Sequence, residues 1–356
     1  MATDFDRTFA RTFDRTYGAL LGLAYGDAIG FPALFHRFQD QLIPRRRHDF
    51  LWRTNQELDT QGIITLTLPF THRISAHTLE PCPTDDTEFA LLTLQGLVNG
   101  PSEPTRESLL SPWLEWVLPA AEDVRSSFSE RAAIQNLARG ERPPVTGNDN
   151  PLHYADSAVP RAVPIGLFCT GDPGKAAVLA GLEAQITQAE DGVYAAQAMA
   201  SAVALLADGA ELSQAMKTAR AQLPADSWIA RGNQIALDCL AEAATPEDLA
   251  LLLATRLINT VYSYGNAAPE TLPAALVLAE ASGGNLVRAC AAANLIPKAA
   301  DSLPAMVGAL CGVIHGPSAV PRAWHAALAS TRGLCLPFLA DVRLETAAQQ
   351  LADLIG

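Results

Sequence analysis

The sequence has little charge and no long apolar run. Only 18% of its 356 residues are charged while 49% are hydrophobic, so much of the chain must be buried in a folded core. No stretch reaches the roughly eighteen uninterrupted apolar residues of a membrane span, and residues 1–15 lack the apolar centre of a secretory signal. These absences argue against a membrane partner and predict a cytoplasmic protein.

Basic residues are scarce as well. The chain has 25 Lys and Arg against 38 Asp and Glu, which gives a formal net charge of -13 at pH 7. Binding to a nucleic acid backbone needs clustered basic side chains that displace counterions. The one basic run, Arg45–Arg47, is more typical of a solvated loop than of a phosphate site. We therefore expect no binding to a nucleic acid backbone.

Cysteine pairs with the spacing of a metal or redox site are absent. The six cysteines lie far apart, and several stand inside apolar helical segments. A thiol in such a segment packs as a small apolar group. We expect these cysteines to be reduced residues of the core.

What the sequence does contain is a glycine stripe followed by alanine-rich segments. Gly18, Gly22, Gly26 and Gly30 recur every four residues, which places them along one side of a helix and lets a second helix come close. Alanine is the strongest helix former, and strand signals are scarce, so the sequence predicts an all-α fold. Helices are predicted at 13–29, 85–98, 158–168, 174–207 (as one or two), 234–244, 246–260, 269–281, 286–294, 302–314 and 340–354.

A segment at about 35–81 differs from the rest of the chain. It is polar, carries Arg and His, and contains the β-favouring stretch Gly62–Pro69. We interpret it as a variable insertion with a short strand. Its length favours a role in function or specificity.

The first group of residues that could carry chemistry is Thr84–Thr87, which reads Thr-Asp-Asp-Thr. Two adjacent carboxylates at a helix start are commonly an N-terminal cap, with Thr84 or Asp85 as the capping residue. The same residues offer one hydroxyl and two carboxylates where the backbone turns, as a hard divalent cation requires. Both interpretations stay open at this point.

A second group, Asp301 and Ser302, stands at the start of another predicted helix. Here too a cap is the simpler interpretation, with Pro304 tolerated in the first turn. Two such starts, together with a glycine-striped helix that ends near Asp27, form a less ordinary set. Helix starts that converge can gather oxygen ligands from distant parts of the sequence.

The order of the motifs resembles the ADP-ribosylglycohydrolase family. Gly18–Gly30 is similar to the family's opening helix, Thr84–Thr87 to its first metal motif, and Asp156–Gly166 to its central segment. Ala300–Gly312 and Pro321–Trp324 are similar to its closing block. The resemblance covers most of the chain and implies one domain over residues 1–356, with a compact orthogonal helical fold around a central metal cleft.

The resemblance also implies a function. Members of this family hydrolyse ADP-ribosyl linkages with Mg²⁺, which orients the ribose hydroxyls and the attacking water. It therefore implies a Mg²⁺-dependent hydrolase of an N- or O-ribosyl linkage, acting on ADP-ribosylated protein or on a small ADP-ribosyl or ribosyl compound. Asp85 or Asp86 would accept the proton of the water as the catalytic residue. The implied metal ligands are Thr84, Asp85, Asp86, Asp301 and Ser302.

The sequence departs from the family at three positions. Ala299 replaces an Asp of the late metal motif, Phe31–Leu34 lacks the usual glutamate, and Gln188 stands where many members have histidine. One Mg²⁺ is therefore expected rather than two, with Mn²⁺ as an alternative. The same losses leave a second hypothesis open, a non-catalytic relative that binds ADP-ribose or a nucleotide. The oligomeric state stays undetermined.

Five further residues are candidates for substrate contact. Asp156 and Asp191 could replace the lost acidic groups, although an acid beside glycine at a helix end is commonly a cap. His153 and Tyr154 could stack on or hydrogen-bond to adenosine, with an ordinary surface loop as the alternative. Asp27, at the end of the glycine-striped helix, is the fifth.

Overall fold

The computed structural model describes residues 4–36, 60, 81–259 and 265–355. Within these ranges the backbone forms helices, turns and two isolated β-bridges but no strand, which confirms the all-α prediction. The α-helices are α1 Asp4–His36, α2 Asp85–Asn99, α3 Arg106–Pro112, α4 Phe128–Ala138, α5 Val145–Asn148, α6 Ala158–Phe168, α7 Pro173–Ala184, α8 Asp191–Asp208, α9 Leu212–Arg220, α10 Trp228–Glu242, α11 Pro246–Arg256, α12 Ala268–Ala281, α13 Leu286–Ala293, α14 Leu303–His315, α15 Arg322–His325 and α16 Leu344–Ile355.

The glycine stripe of α1 lies against α14, as its spacing predicts. A Cβ atom at Gly22 would lie 2.2 Å from the carbonyl oxygen of Gly308, and one at Gly26 would lie 1.9 Å from that of Pro304. Contacts of Gly18 with Gly312 and of Gly30 with Ala300 continue the pattern, so the two helices run antiparallel. This register brings the end of α1 beside the start of α14.

A methyl group at this contact is expected to be poorly tolerated. Gly22→Ala should lower the free energy of unfolding by about 2–3 kcal/mol, because backbone atoms on both helices would have to move apart. Urea unfolding followed by circular dichroism measures this effect. Gly174→Ala is the matched control, since its Cβ would meet only the Asp172 carboxylate at 3.5 Å, and it should be neutral or slightly stabilising. Equal effects for the two variants would contradict the close approach of α1 and α14.

Small side chains build the interior around α8. This helix packs against α6, α7 and α9, and Ala195, Ala196 and Ala198 on it are completely buried. Helices with alanine faces approach closely, so a dense core forms without many large aromatic residues. One cluster of buried apolar side chains extends from α1 to α16.

Some predicted boundaries shift for local reasons. Helix α10 begins at Trp228 rather than 234, because the Ser227 side chain accepts a hydrogen bond from the amide of Ala230 at 3.1 Å and caps the helix there. Helix α16 begins at Leu344 rather than 340, because Asp341 has a left-handed backbone with φ 63°. Segment 174–207 forms two helices, α7 and α8.

Other expectations concern the membrane, the thiols and the insertion. No helix among the described residues is long and apolar enough to cross a membrane. All six cysteines lie in the described ranges and none forms a disulfide; five are buried, and Cys335 is half-buried. The insertion expected at about 35–81, with its strand at Gly62–Pro69, lies almost entirely outside the described residues.

Candidate active site

Asp27 lies inside α1, which continues to His36 rather than ending near Asp27, and it holds the start of α2. Its Oδ2 accepts hydrogen bonds from the backbone amides of Thr84 at 2.7 Å and Thr87 at 3.1 Å, and from the Thr87 hydroxyl at 2.6 Å. The Thr84 hydroxyl donates to Oδ1 of the same carboxylate. Asp27 therefore serves α2 as a cap supplied from a distant segment, and its own oxygens are largely occupied.

The side chains expected as local caps do not cap their helices. Thr84 occupies the position before α2 and Ser302 the position before α14, yet neither side chain makes a capping hydrogen bond. The capping interpretation is thus wrong for these two residues. At α2 the reason is that Asp27 already accepts the amide hydrogens that a local cap would satisfy.

A short backbone link joins Asp156 to the segment that holds Asp301. An antiparallel bridge pairs Ala155 with Ala267, and the amide of Asp156 donates to the carbonyl of Asn266 at 2.9 Å. The Asn266 side chain in turn donates to Oδ2 of Asp301 at 2.6 Å. Asn266 therefore holds the two acidic residues in one place, although 145 positions separate them in the sequence.

The acidic residues from these segments interact through their charges. Burial is the main reason that the pKa of Asp85 and that of Asp86 lie well above the usual value, and nearby carboxylates raise them further. Asp301 and Asp27 contribute to both shifts, and Asp156 contributes to that of Asp86. The charges of five acidic residues from four segments thus act on one another, and the sequence had offered each of them separately as a ligand or a substrate contact: Asp27, Asp85, Asp86, Asp156 and Asp301.

These shifts predict a pH dependence of stability. Burial raises the pKa of Asp27 to about 6 and that of Asp156 to about 7, from 3.8. Both carboxyls bind a proton more tightly in the folded than in the unfolded protein, so their stabilising contribution is complete below pH 3.8 and is lost as the pH rises through about 6 to 7. In EDTA, the free energy of unfolding from urea titrations should therefore fall between pH 5 and pH 8.

The exposed pair of Arg288 and Glu247 is the control for this measurement. Arg288 lowers the pKa of Glu247 to about 2, so the contribution of that exposed pair is already complete above pH 4.5 and adds no slope in the same window. Asp156→Asn should reduce the slope, because it removes the group with the higher pKa. A flat profile for the parent protein, or an unchanged slope in the variant, would contradict the prediction.

Glu88 is a structural acid that the sequence did not reveal. Its carboxylate is completely buried and accepts backbone amides of Leu334 at 2.8 Å, Cys335 at 2.8 Å and Leu336 at 2.7 Å. Three amide donors satisfy a buried carboxylate well, so Glu88 fixes a distant loop against the first turn of α2. Only its position one turn after Asp85 hinted that it faces the interior.

Arg161 is the centre of a second buried network that sequence reasoning missed. The side chain is completely buried, and its Nε donates to Glu183 at 2.8 Å while Nη1 donates to Glu130 at 3.3 Å. Nη2 donates to the Thr187 hydroxyl at 2.6 Å, and the guanidinium lies 5.2 Å from the ring centroid of Trp113. The network joins α4, α6 and α7 beneath the segment that carries Asp156.

Gln188 belongs to that network rather than to an open cleft. Its Nε2 donates to the hydroxyls of Ser157 at 2.7 Å and Ser129 at 3.2 Å, and its Oε1 accepts from Arg161 at 3.4 Å. It is completely buried. The glutamine therefore has a structural part here and its amide is fully engaged.

Of the remaining candidates, His153 and Tyr154 form with Trp228 a group that we call the aromatic rim, whereas Asp191 holds the start of a helix. His153 and Tyr154 are half-buried and meet edge to face at 5.5 Å, and Tyr154 lies 5.5 Å from Trp228, a residue that sequence reasoning did not propose. Asp191 is used differently, because its Oδ1 accepts the amide of Ile229 at 2.9 Å and so anchors the start of α10. His153 and Tyr154 precede Asp156 in the sequence, and Tyr154 brings Trp228 to the same place.

The oxygen atoms of these carboxylates and hydroxyls are of the kind that binds a hard divalent cation. Within the described ranges, no three His, Cys, Asp or Glu side chains are grouped closely enough to hold a metal ion by themselves. The oxygens at this place include the hydroxyls of Thr84 and Ser302 as well as the carboxylates. Oδ2 of Asp156 is buried, and no residue in the described part of the chain hydrogen-bonds to it. Carboxylate and hydroxyl oxygens are the ligands that Mg²⁺ prefers, and a cation would offset the mutual repulsion of the acids.

Comparisons with known proteins point to one family. The family model described as ADP-ribosylglycohydrolase matches residues 8–355. A solved structure titled "ADP-ribosylglycohydrolase-related protein complex" resembles this fold with a TM-score of 0.60 at 21% sequence identity, covering 98% of this chain and 100% of that one. At this identity the likeness concerns the fold alone. No curated protein matches the chain.

Proposed function

Because the family model matches residues 8–355, the chain belongs to the ADP-ribosylglycohydrolase family, and we propose that it is a Mg²⁺-dependent hydrolase of ADP-ribosyl compounds. The substrate would carry an N- or O-ribosyl linkage, either on an ADP-ribosylated protein or in a small molecule. The observation that carries the proposal is that α1 links the starts of α2 and α14: Asp27 accepts the amides of Thr84 and Thr87, while the neighbouring Gly26 and Gly30 contact Pro304 and Ala300. We further place this activity in the cytoplasm.

The proposed ligands are Thr84, Asp85, Asp86, Asp301 and Ser302. A bound Mg²⁺ would supply Lewis-acid chemistry and order the ribose hydroxyls and a water molecule. Mn²⁺ is an alternative cation with the same oxygen preference.

The residues of the chain have distinct parts in this proposal. Asp27 holds the first turn of α2 in place through Thr84 and Thr87, so the carboxylates of that turn face the site without capping the helix. Asp85 or Asp86 takes the proton from the attacking water at a carboxylate oxygen. Asn266 positions Asp301 by its hydrogen bond.

The aromatic rim is the proposed place of the base. His153 and Tyr154 contact each other shortly before Asp156 in the chain, and Tyr154 contacts Trp228. Aromatic rings stack on a purine independently of its hydrogen-bonding edge. A ribosyl group reaching the acids from this rim would place its adenosine against the rings.

A substrate panel tests the proposal. Proteins ADP-ribosylated on different residues, small ADP-ribosyl compounds and nucleosides are incubated with the protein in Mg²⁺ or in EDTA, and released ADP-ribose or ribose is measured. We expect turnover of at least one ADP-ribosyl compound with Mg²⁺ and none with EDTA. Turnover that persists in EDTA would contradict the metal dependence.

A second function is favoured by one observation. Ala299, at the position of a lost acidic ligand, is 1% exposed and belongs to the apolar core, so the chain has replaced that carboxylate with packing. In the corresponding function the protein binds ADP-ribose or a nucleotide without cleaving it. Isothermal titration would then give ADP-ribose binding while no compound in the panel is consumed, even with excess Mg²⁺.

A further inference from the structure

We propose that Asp156 supplies a carboxylate oxygen to the cation of this site, in place of the acidic ligand lost at position 299. The inference rests on the proposed function, because it assigns one more residue to the same cation. It makes Asp156 a ligand rather than a substrate contact, and it explains how a divergent member would keep enough negative charge at the site.

The backbone places Asp156 next to two of the proposed ligands. Its Oδ1 accepts a hydrogen bond from the Ser302 hydroxyl at 3.4 Å. Its amide donates to Asn266, whose side chain binds Asp301. Asp156 therefore reaches the start of α14 by two separate routes, one through its side chain and one through its main chain.

The carboxylate of Asp156 differs from the other buried acids near the site. Those of Asp27 and Glu88 are satisfied by two or three backbone amides each, which accounts for them structurally. Asp156 is completely buried, yet its Oδ2 has no hydrogen-bond partner among the residues that the structure describes. A buried carboxylate oxygen without a donor has lost its hydration and gained no contact in exchange, so a structural purpose does not account for it.

The charges around Asp156 indicate what would satisfy that oxygen. Burial is the main cause of the raised pKa of Asp156; a hydrogen bond from the Thr271 side chain lowers that pKa, and the charges of Asp301 and Glu130 raise it. Asp156 also raises the pKa of Asp86 on α2. A negative setting with an unsatisfied oxygen attracts a cation rather than an anion, and the carboxylate is hard, as Mg²⁺ requires.

Position 299 cannot supply the negative charge of an acidic ligand in this chain. Ala299 closes a 3₁₀ turn, Pro297–Ala299, and its side chain is packed in the apolar core. An acidic ligand in this chain must therefore come from another segment. The bridge between Ala155 and Ala267 delivers one from the start of α6.

Metal binding tests the proposal separately from turnover. Isothermal titration with Mn²⁺, supported by its electron paramagnetic resonance signal, measures affinity in the parent protein and in Asp156→Asn. The variant keeps the volume of the side chain and an oxygen for the Ser302 hydroxyl, and thermal unfolding checks that it folds. We expect Mn²⁺ to bind about tenfold more weakly or worse in the variant, in keeping with the effect of residues that shape metal sites.

Two further variants separate the possible failures. Asp172→Asn, in which an exposed cap of α7 is neutralised, should bind Mn²⁺ like the parent. Asp85→Asn should lose binding, because it removes a ligand of the proposed site itself. If the parent binds no Mn²⁺ or Mg²⁺, the proposed function fails; if the parent binds, Asp85→Asn does not, and Asp156→Asn binds like the parent, only the inference about Asp156 is overturned.

Discussion

Asp301→Asn is expected to reduce turnover of the ADP-ribosyl substrate by about two orders of magnitude or more while leaving the fold intact. The change removes a negative charge from a site where carboxylates from four segments meet, and it keeps the shape of the side chain. The Asn266 amide would then face an amide rather than a carboxylate, so the hydrogen bond of 2.6 Å would also weaken. Initial rates at a Mg²⁺ concentration that just saturates the parent protein, with circular dichroism as the test of folding, measure the effect.

The control for Asp301→Asn is the same substitution at an aspartate that lies away from the site. Asp353→Asn provides it, because Asp353 is exposed on α16 and accepts only the Gln349 side chain at 2.9 Å. Its rate should equal that of the parent. Full activity in Asp301→Asn would show that the start of α14 does not take part in the reaction.

A titration of Mg²⁺ strengthens the interpretation of Asp301→Asn. If the residue binds the cation, part of the lost rate should return at higher Mg²⁺, because weaker binding is overcome by mass action. If Asp301 only shaped the site mechanically, added Mg²⁺ would leave the rate unchanged. The two outcomes distinguish a ligand from a positioning residue.

The parts of the fold that could be predicted are those that a local sequence pattern determines. The spacing of Gly18, Gly22, Gly26 and Gly30 identifies both a helix and the side of it that another helix must approach. Alanine content does the same for the helices at the centre. The partner of the stripe could not be derived from periodicity alone, because any helix with small residues in a row would fit; Gly308 and Gly312 are recognisable as the complement only once the contact is seen.

The residues of the candidate site also divide into those that the sequence predicts and those that it does not. Thr84, Asp85, Asp86, Asp301 and Ser302 could be proposed because each stands at a recognisable helix start. The function of Asp27 could not be derived from its neighbours, since the groups it holds lie 57 and 60 positions further along the chain. A long-range cap of this kind leaves no local signature, because the capped helix merely lacks a good cap of its own.

Arg161 shows most clearly what cannot be predicted from the sequence alone. An arginine between Pro160 and Ala162 in an apolar helix suggests either a substrate ligand or a surface residue, and it is neither. Its partners Glu130 and Glu183 come from α4 and α7, and each of the three would be costly to bury without the others. Burial of charge can be foreseen only when all members of a network are known, and here they are dispersed over 54 positions.

Arg161→Ala is expected to destabilise the protein by about 3–5 kcal/mol, the largest effect on stability that we predict for a single substitution. The loss arises mainly from what the change leaves behind, because two carboxylates would stay buried without their cation. Both Glu130 and Glu183 are at most 1% exposed, and Oε2 of Glu183 already lacks a hydrogen-bond partner. Urea unfolding at pH 7 measures the difference.

A surface ion pair provides the contrast that identifies the cause. Arg288 makes two hydrogen bonds to Glu247, at 3.2 Å and 3.0 Å, but their side chains are 50% and 48% exposed, so water replaces the lost contact. Arg288→Ala should therefore cost far less stability than Arg161→Ala. Similar losses in the two variants would mean that burial of the carboxylates does not determine the effect.

Removing the stranded charge tests the same reasoning from the other side. If the cost of Arg161→Met comes from buried carboxylates, then adding Glu183→Leu should recover part of the lost stability, since apolar replacements of buried ion pairs are often neutral or better. The double variant would be more stable than Arg161→Met alone, although it carries one more substitution. A further loss of stability in the double variant would show instead that the helices need the polar contacts of Glu183 for their own sake, including the hydrogen bond at 3.4 Å from Thr93 on α2.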